Sequence, residues 1–239
     1  MLEAAFWGLL TAGSLWVGAA IAAYGRLGSR WIGLAMAFGS GALIAAVAYE
    51  LVVEAFDTDL ELAASGFACG ALAFYVGDWL IDRGGGHGRK STSGDDQLAG
   101  SAGAIVLGTV LDGIPESFVL GASLLQDAGV PIAVVIGVFA SNVPEALSGT
   151  TGLLEAGWKR GRVFAMWSGV VVASVAAAIA GWLLLDTMPT AGGAFVLAFA
   201  GGALIVMLAD TLMPEAFDLG GREAGLLTAL GFALGFALS

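Results

Sequence analysis

The chain contains one cysteine and one histidine in 239 residues. A lone Cys69 excludes a disulfide framework and a thiolate metal cluster, and within its apolar run it reads as a packing residue. A lone His87 excludes a multi-histidine site within one chain. Charge is scarce too: 12% of the residues are charged, about half of what a soluble domain carries. No polar stretch exceeds about twenty residues, which leaves no room for a separate soluble domain. There is no phosphate-binding loop to supply nucleotide-driven work. Nine Lys and Arg stand against twenty Asp and Glu, a formal net charge of −11. That balance argues against nucleic acid, and against an anionic lipid surface, as the main partner.

What is abundant is apolar and small. The chain is 58% hydrophobic with a mean hydropathy of +0.90, and its 38 glycines suit helices that approach closely in lipid. Apolar runs recur eight times, near 4–24, 31–53, 62–82, 99–125, 130–155, 162–185, 192–214 and 223–238. A run of about twenty residues crosses a bilayer as a helix. The expectation is one all-α integral membrane domain over 1–239 with eight transmembrane helices. The first run lacks a basic flank and a small-residue cleavage site, so it reads as a span, not a signal peptide.

All the positive charges fall on alternate connections. They are Arg26 and Arg30; Arg83, Arg89 and Lys90; Lys159, Arg160 and Arg162; and Arg222. The opposite connections carry Asp57, Asp59, Glu61, Gln126, Asp127 and Asp186. The positive-inside rule names the basic side cytoplasmic, which puts both termini outside a cell (inner or plasma) membrane. The loop at 83–98 is Gly/Ser-rich and cytoplasmic, and His87 within it reads as solvated. Asp78 and Asp82, at the end of the third run, are expected to face water.

A repeat runs through the chain. Gly41-Ala42-Leu43-Ile44 recurs as Gly202-Ala203-Leu204-Ile205, and Glu54-Ala55-Phe56-Asp57 as Glu215-Ala216-Phe217-Asp218, both at an offset of 161 with Leu51 matching Leu212. Five spans separate the second from the seventh, so the copies run in opposite directions. Inverted repeats of this kind are a transporter signature with the substrate site near mid-membrane. The expected architecture is 3+2+3, with the fourth and fifth spans as a central pair.

That central pair carries the unusual residues. Leu111-Asp112-Gly113-Ile114-Pro115-Glu116-Ser117 and Ala140-Ser141-Asn142-Val143-Pro144-Glu145-Ala146 each place a polar residue, then Pro at i+3 and Glu at i+4. An ionisable group in hydrocarbon costs a few kcal/mol and reads as a site. Each proline removes a helix hydrogen bond, freeing the carbonyls of Leu111 and Ala140, and bends the helix beside the acids. Asp112 with Glu116, and Ser141 with Glu145, share one face of each helix. No Lys or Arg lies inside a span, so a cation or a proton must neutralise these acids. Oxygen donors suit Mn²⁺, Fe²⁺ or Mg²⁺, and Zn²⁺ also accepts carboxylates. Glu50 and Asp210 are secondary pathway candidates, with Pro214 freeing the Asp210 carbonyl; Glu54 and Glu215 read as interfacial. Gly66 and Gly70 form a small-xxx-small motif compatible with a homodimer.

Eight spans, outward termini and Pro-Glu motifs in spans four and five resemble the ZIP (Zrt/Irt-like) family of divalent metal transporters over essentially the whole chain. The family's fourth span typically reads His-Asn-x-Pro-Glu-Gly, aligning with Asp112 to Ser117. Its fifth reads His (or Gln)-Asn/Asp/Glu-x-Pro-Glu/His-Gly/Glu, aligning with Ser141 to Ala146. Leu212-Met213-Pro214-Glu215-Ala216 is similar to its Leu-Leu-Pro-Glu-Ala. The resemblance implies metal at Asp112, Glu116, Ser141 and Glu145, with Asn142 toward a neighbouring position. It also implies uptake of Zn²⁺, Mn²⁺ or Fe²⁺ into the cytoplasm by a secondary transporter or facilitator, not an enzyme. The sequence departs from the family in Asp112 for histidine, Gly113 for asparagine, and Val172 near the place of a sixth-span Glu. These changes favour one principal oxygen-only metal site. The residues also leave open a Na⁺- or H⁺-coupled carrier of another solute, a membrane protein that binds metal without moving it, acids that stay protonated, and an intramembrane hydrolase using Asp78 and Asp112.

Overall fold

The computed structural model describes residues 1–25, 27–86, 102–125 and 132–239. Arg26, His87, Arg89, Lys90, most of the 83–98 loop, Gln126 and Asp127 lie outside the described residues. All regular structure among the described residues is helical. In lipid a backbone must satisfy its own hydrogen bonds, and runs rich in Ala, Leu, Val and Gly do so as helices. Eight helices follow: α1 Leu2–Tyr24, α2 Ser29–Thr58, α3 Leu60–Gly85, α4 Ala102–Ser123, α5 Ile132–Glu155, α6 Arg160–Thr187, α7 Thr190–Gly220 and α8 Glu223–Leu238. Among the described residues α1, α2, α3, α5, α6 and α7 are long and apolar enough to cross a membrane.

The connections are short where they are described. One residue, Asp59, separates α2 from α3, and its carboxylate accepts a hydrogen bond from Leu62 N at 3.0 Å. That cap satisfies one orphan donor of the first turn. Asp59→Ala is expected to cost about 1 kcal/mol, read as an apparent melting temperature lower by roughly 2–4 °C in detergent. Gly221, at φ +67, turns the chain from α7 into α8 in a conformation that L side chains rarely adopt.

Two described arginines join helix ends on one side of the bundle. Arg30 Nη2 meets Glu223 Oε1 at 2.8 Å, joining the starts of α2 and α8. The Arg160 guanidinium lies 5.0 Å from the Tyr24 ring, joining the end of α1 to the start of α6.

The helices pack in matched pairs: α2 on α8 and α7 on α3, then α1 on α5 and α6 on α4, with α1 also against α6. Backbone approaches follow the 161-residue offset. Gly41 faces the Thr228 carbonyl, and Gly202 faces that of Phe67; Gly70 faces the Phe199 carbonyl, and Gly231 faces that of Phe38. In each pair both partners stand 161 residues from their counterparts. Any side chain at these glycines would strike backbone, so the contacts require glycine. The offset extends to a local distortion: α2 is π-helical at Val47–Val52 and α7 at Leu208–Leu212. Pro214 follows the second π segment, but Val53 stands at its counterpart, so proline is not the common cause.

Three readings of the sequence change. Cys69 is exposed on α3 and is not a packing residue, because α3 turns its glycine stripe, Gly66 and Gly70, toward α7. That stripe is engaged inside the chain. Asp78 does not face water: it is 8% exposed. The helix continues past it to Gly85, and this end packs against α4, so Asp78 lies inside the bundle.

Candidate functional site

The central helices α4 and α5 keep helical geometry through Pro115 and Pro144. Their acids are inside: Asp112 and Glu116 are each 1% exposed and Glu145 is 5% exposed, with Ser141 and Asn142 also buried. The i, i+4 spacing in each helix sets the acids on one stripe. The structure extends both stripes beyond the motifs. Thr109, Asp112 and Glu116 line α4, and Ser141, Glu145 and Ser148 line α5, all buried. Thr109 and Ser148 were legible as hydroxyl residues three positions from Asp112 and from Glu145, on the same face.

The two stripes meet where Ser141 reaches Glu116. Ser141 Oγ lies 3.2 Å from Glu116 Oε1 and 3.0 Å from the Val138 carbonyl, so its single proton serves either acceptor. Asn142 turns away from this contact. Its Nδ2 donates to the Thr11 carbonyl of α1 at 3.2 Å, an acceptor shared with the Ser14 hydroxyl. Thr11 and Ser14 are buried polar residues of α1 outside both motifs; only their hydroxyls in an apolar run mark them. Among the described residues, no three His, Cys, Asp or Glu side chains are grouped so that they could hold a metal ion. None of Asp112, Glu116 and Glu145 is without an interaction partner.

The freed carbonyl of Ala140 adjoins α2: a Cβ at Gly39 would sit 2.5 Å from that oxygen and 2.8 Å from Ser141 N. On the α1 side Gly18 faces the Val143 carbonyl and would set a Cβ 3.1 Å from Leu147 N. Two glycines from two helices thus grip the segment of α5 around Pro144. In α4, Gly121 faces the Ala178 carbonyl and Gly181 of α6 faces that of Phe118. Both segments bearing the acids are held backbone to backbone.

The sixth-span position also changes. Val172 is 69% exposed on the outer face of α6. The α6 side chains nearest a Cβ at Gly113 are Ser174, with Oγ at 3.2 Å, and Val170. Ser174 is the buried polar residue there.

The secondary candidates lie apart from the central stripes. Glu50 is half-buried and Asp210 exposed, each within a π segment; Glu54 is exposed and Glu215 half-buried. At the end of the bundle away from the arginines, a cavity of about 350 Å³ lies between α2, α6 and α7, with Glu54, Thr58, Asp186 and Thr190 among its lining. Its oxygen donors can interact with a hydrated cation.

Comparison with known proteins finds no family model that matches the chain, and no curated protein that matches it.

Proposed function

We propose that this chain is a divalent metal-ion transporter that carries Zn²⁺, Mn²⁺ or Fe²⁺ into the cytoplasm through the acid stripes of α4 and α5. The observation that carries the reading is the Glu116–Ser141 contact between two stripes of buried acids in a bundle with no cationic side chain inside its spans. Buried carboxylates need a counter-charge, and a cation supplies it. Asp112, Glu116, Ser141 and Glu145 are the proposed donors. Asn142, held to α1, orients the segment around Pro144.

The packing supports a 3+2+3 inverted repeat, since contacts of α2 and α3 with α7 and α8 obey one offset. It also supports a block of α1, α4, α5 and α6 that shifts against the remaining helices, as the ZIP resemblance implies. Gly39 and Gly137 line the α2–α5 boundary, the interface across which such a shift would occur. In this arrangement the Glu54–Asp186 cavity is the outer approach, with Glu50 beyond it. Asp210 lies on the route to the cytoplasm. The clustering of arginines at one end supports outward termini.

Proteoliposome uptake tests the proposal. Saturable influx of Mn²⁺, Fe²⁺ or Zn²⁺ above protein-free vesicles is expected without nucleotide. Metal capture by carboxylates competes with protons, so influx is expected to fall as the outer pH drops through the carboxylate range. Binding without influx would overturn transport in favour of a metal-binding membrane protein.

A further inference from the structure

A crevice on the membrane-facing side of α4 and α6 has a chemistry that the transport path does not use. Its volume is about 470 Å³, and its walls include Gly103 and Val106 of α4 and Arg162, Ala165, Met166 and Gly169 of α6. The α6 residues are spaced i, i+3, i+4 and i+7, one stripe running about 10 Å down the helix. The α4 residues are three apart and line the facing wall. Both glycines border open space: a Cβ at Gly103 or Gly169 would meet nothing within 4 Å. Among the described residues the floor is therefore apolar and unfilled, and in a bilayer such a slot is filled by a hydrocarbon chain, since an unfilled one forfeits dispersion contacts.

Its mouth is charged. The Arg162 guanidinium stacks on the Trp158 ring at 3.7 Å from the centroid. Stacking occupies the flat face of the guanidinium and not its in-plane N–H groups, which match phosphate oxygens in a fork. Lys159 and Arg160 are close in sequence, and the mouth sits at the end of the bundle that carries the arginines. Arg83 stacks on Trp79 at the same 3.7 Å, but among the described residues no comparable slot contains it. The pairing of a stacked cation with a glycine-walled slot distinguishes Arg162.

We infer that this crevice is a binding site for one anionic phospholipid, its phosphate on Arg162 and one hydrocarbon chain between α4 and α6. The net charge of −11 opposes general adsorption to anionic surfaces, whereas this site selects a single molecule locally. The lipid would lie against α4, the helix bearing Asp112 and Glu116. The inference rests on the membrane setting alone and stands whether or not the acids carry metal.

Native mass spectrometry of the whole chain, extracted from vesicles of phosphatidylcholine and phosphatidylglycerol, tests it. The wild-type protein is expected to retain one phosphatidylglycerol in preference to phosphatidylcholine. Arg162→Gln is expected to lower that occupancy about tenfold or more, the scale of a lost charge-assisted contact. Gly169→Leu, which fills the slot but keeps the charge, is expected to do the same, and Arg83→Gln to leave it unchanged. The inference is overturned if no adduct survives on the wild-type protein, or if either crevice variant retains full occupancy. Equal loss with Arg83→Gln would reduce it to surface charge, and equal competition by glycerol phosphate would reduce it to a chainless anion site.

Discussion

Replacing Glu116 and Glu145 together by alanine is expected to reduce metal influx in proteoliposomes to the level of empty vesicles. Both side chains are buried, and neither variant can supply the charge that a dehydrated divalent ion needs. Removing one partner of a buried charge pair costs roughly 3–5 kcal/mol, which is about 100-fold or more in binding for each carboxylate. Glu116→Gln isolates the charge. Glutamine keeps the volume and an oxygen that can accept from Ser141 Oγ, 3.2 Å away, yet influx is expected to fail because the anion is gone. Ser141→Ala should weaken influx far less, since it removes a neutral donor. Full influx through Glu116→Gln would sink the site assignment. If the acids serve as neutral hydrogen-bonding groups between helices, the Gln variant works as well as the native chain.

The second large effect concerns stability. Gly41→Ala and Gly202→Ala are each expected to destabilise the protein by about 1–3 kcal/mol, the cost of overpacking, and to lower its apparent melting temperature by roughly 2–12 °C. A Cβ at Gly41 would meet Thr228 C at 2.8 Å and Phe232 N at 2.9 Å; one at Gly202 would meet Phe67 C at 3.0 Å and Ala71 N at 3.1 Å. These are backbone atoms of a neighbouring helix, so relief requires moving the whole helix. Gly13→Ala is the control. Its Cβ would meet nothing within 4 Å, and alanine should gain up to about 1 kcal/mol of helix propensity. Because Gly41 and Gly202 hold corresponding contacts, their costs should be similar. A silent change at one and a large loss at the other would undo the matched-repeat account. Thermal unfolding in one detergent, with both variants beside Gly13→Ala, reads the difference directly.

The two predictions probe different layers of the molecule, and the sequence was informative about them to different degrees. The repeat was visible as short identities at 161 residues because packing glycines and their flanking residues recur together. The π segments were not visible: Val53 stands where Pro214 does, and no local residue type signals a π turn at Val47. The acids of α4 and α5 were visible because ionisable groups in apolar runs are rare. Their neighbours were harder to find. Thr11, Ser14 and Ser174 are small hydroxyl residues on other helices, and nothing local shows that Asn142 and Ser14 share the Thr11 carbonyl or that Ser174 lies beside Gly113.

Other misreadings have the same origin. Asp78 reads as interfacial because it stands close to Arg83 in sequence, yet α3 continues to Gly85 and α4 covers it. Cys69 lies between two glycines that do pack, and one helical step turns it outward instead. Val172 follows Ser168-Gly169 at the spacing of a ligand, while α6 carries it to the outer face.

By itself, then, the sequence determined the helices, their approximate limits, the placement of the arginines, the repeat and the stripe on which each acid lies. Hydropathy and backbone hydrogen bonding act over a few turns, so neighbouring residues suffice to specify them. Only the tertiary structure decided which stripe faces which. It set Glu116 against Ser141, turned Asn142 to α1, placed Gly39 against the freed carbonyl of Ala140, and left a slot beneath Arg162. Those choices depend on close approach between residues far apart in the chain, where a single Cβ decides whether two helices can meet.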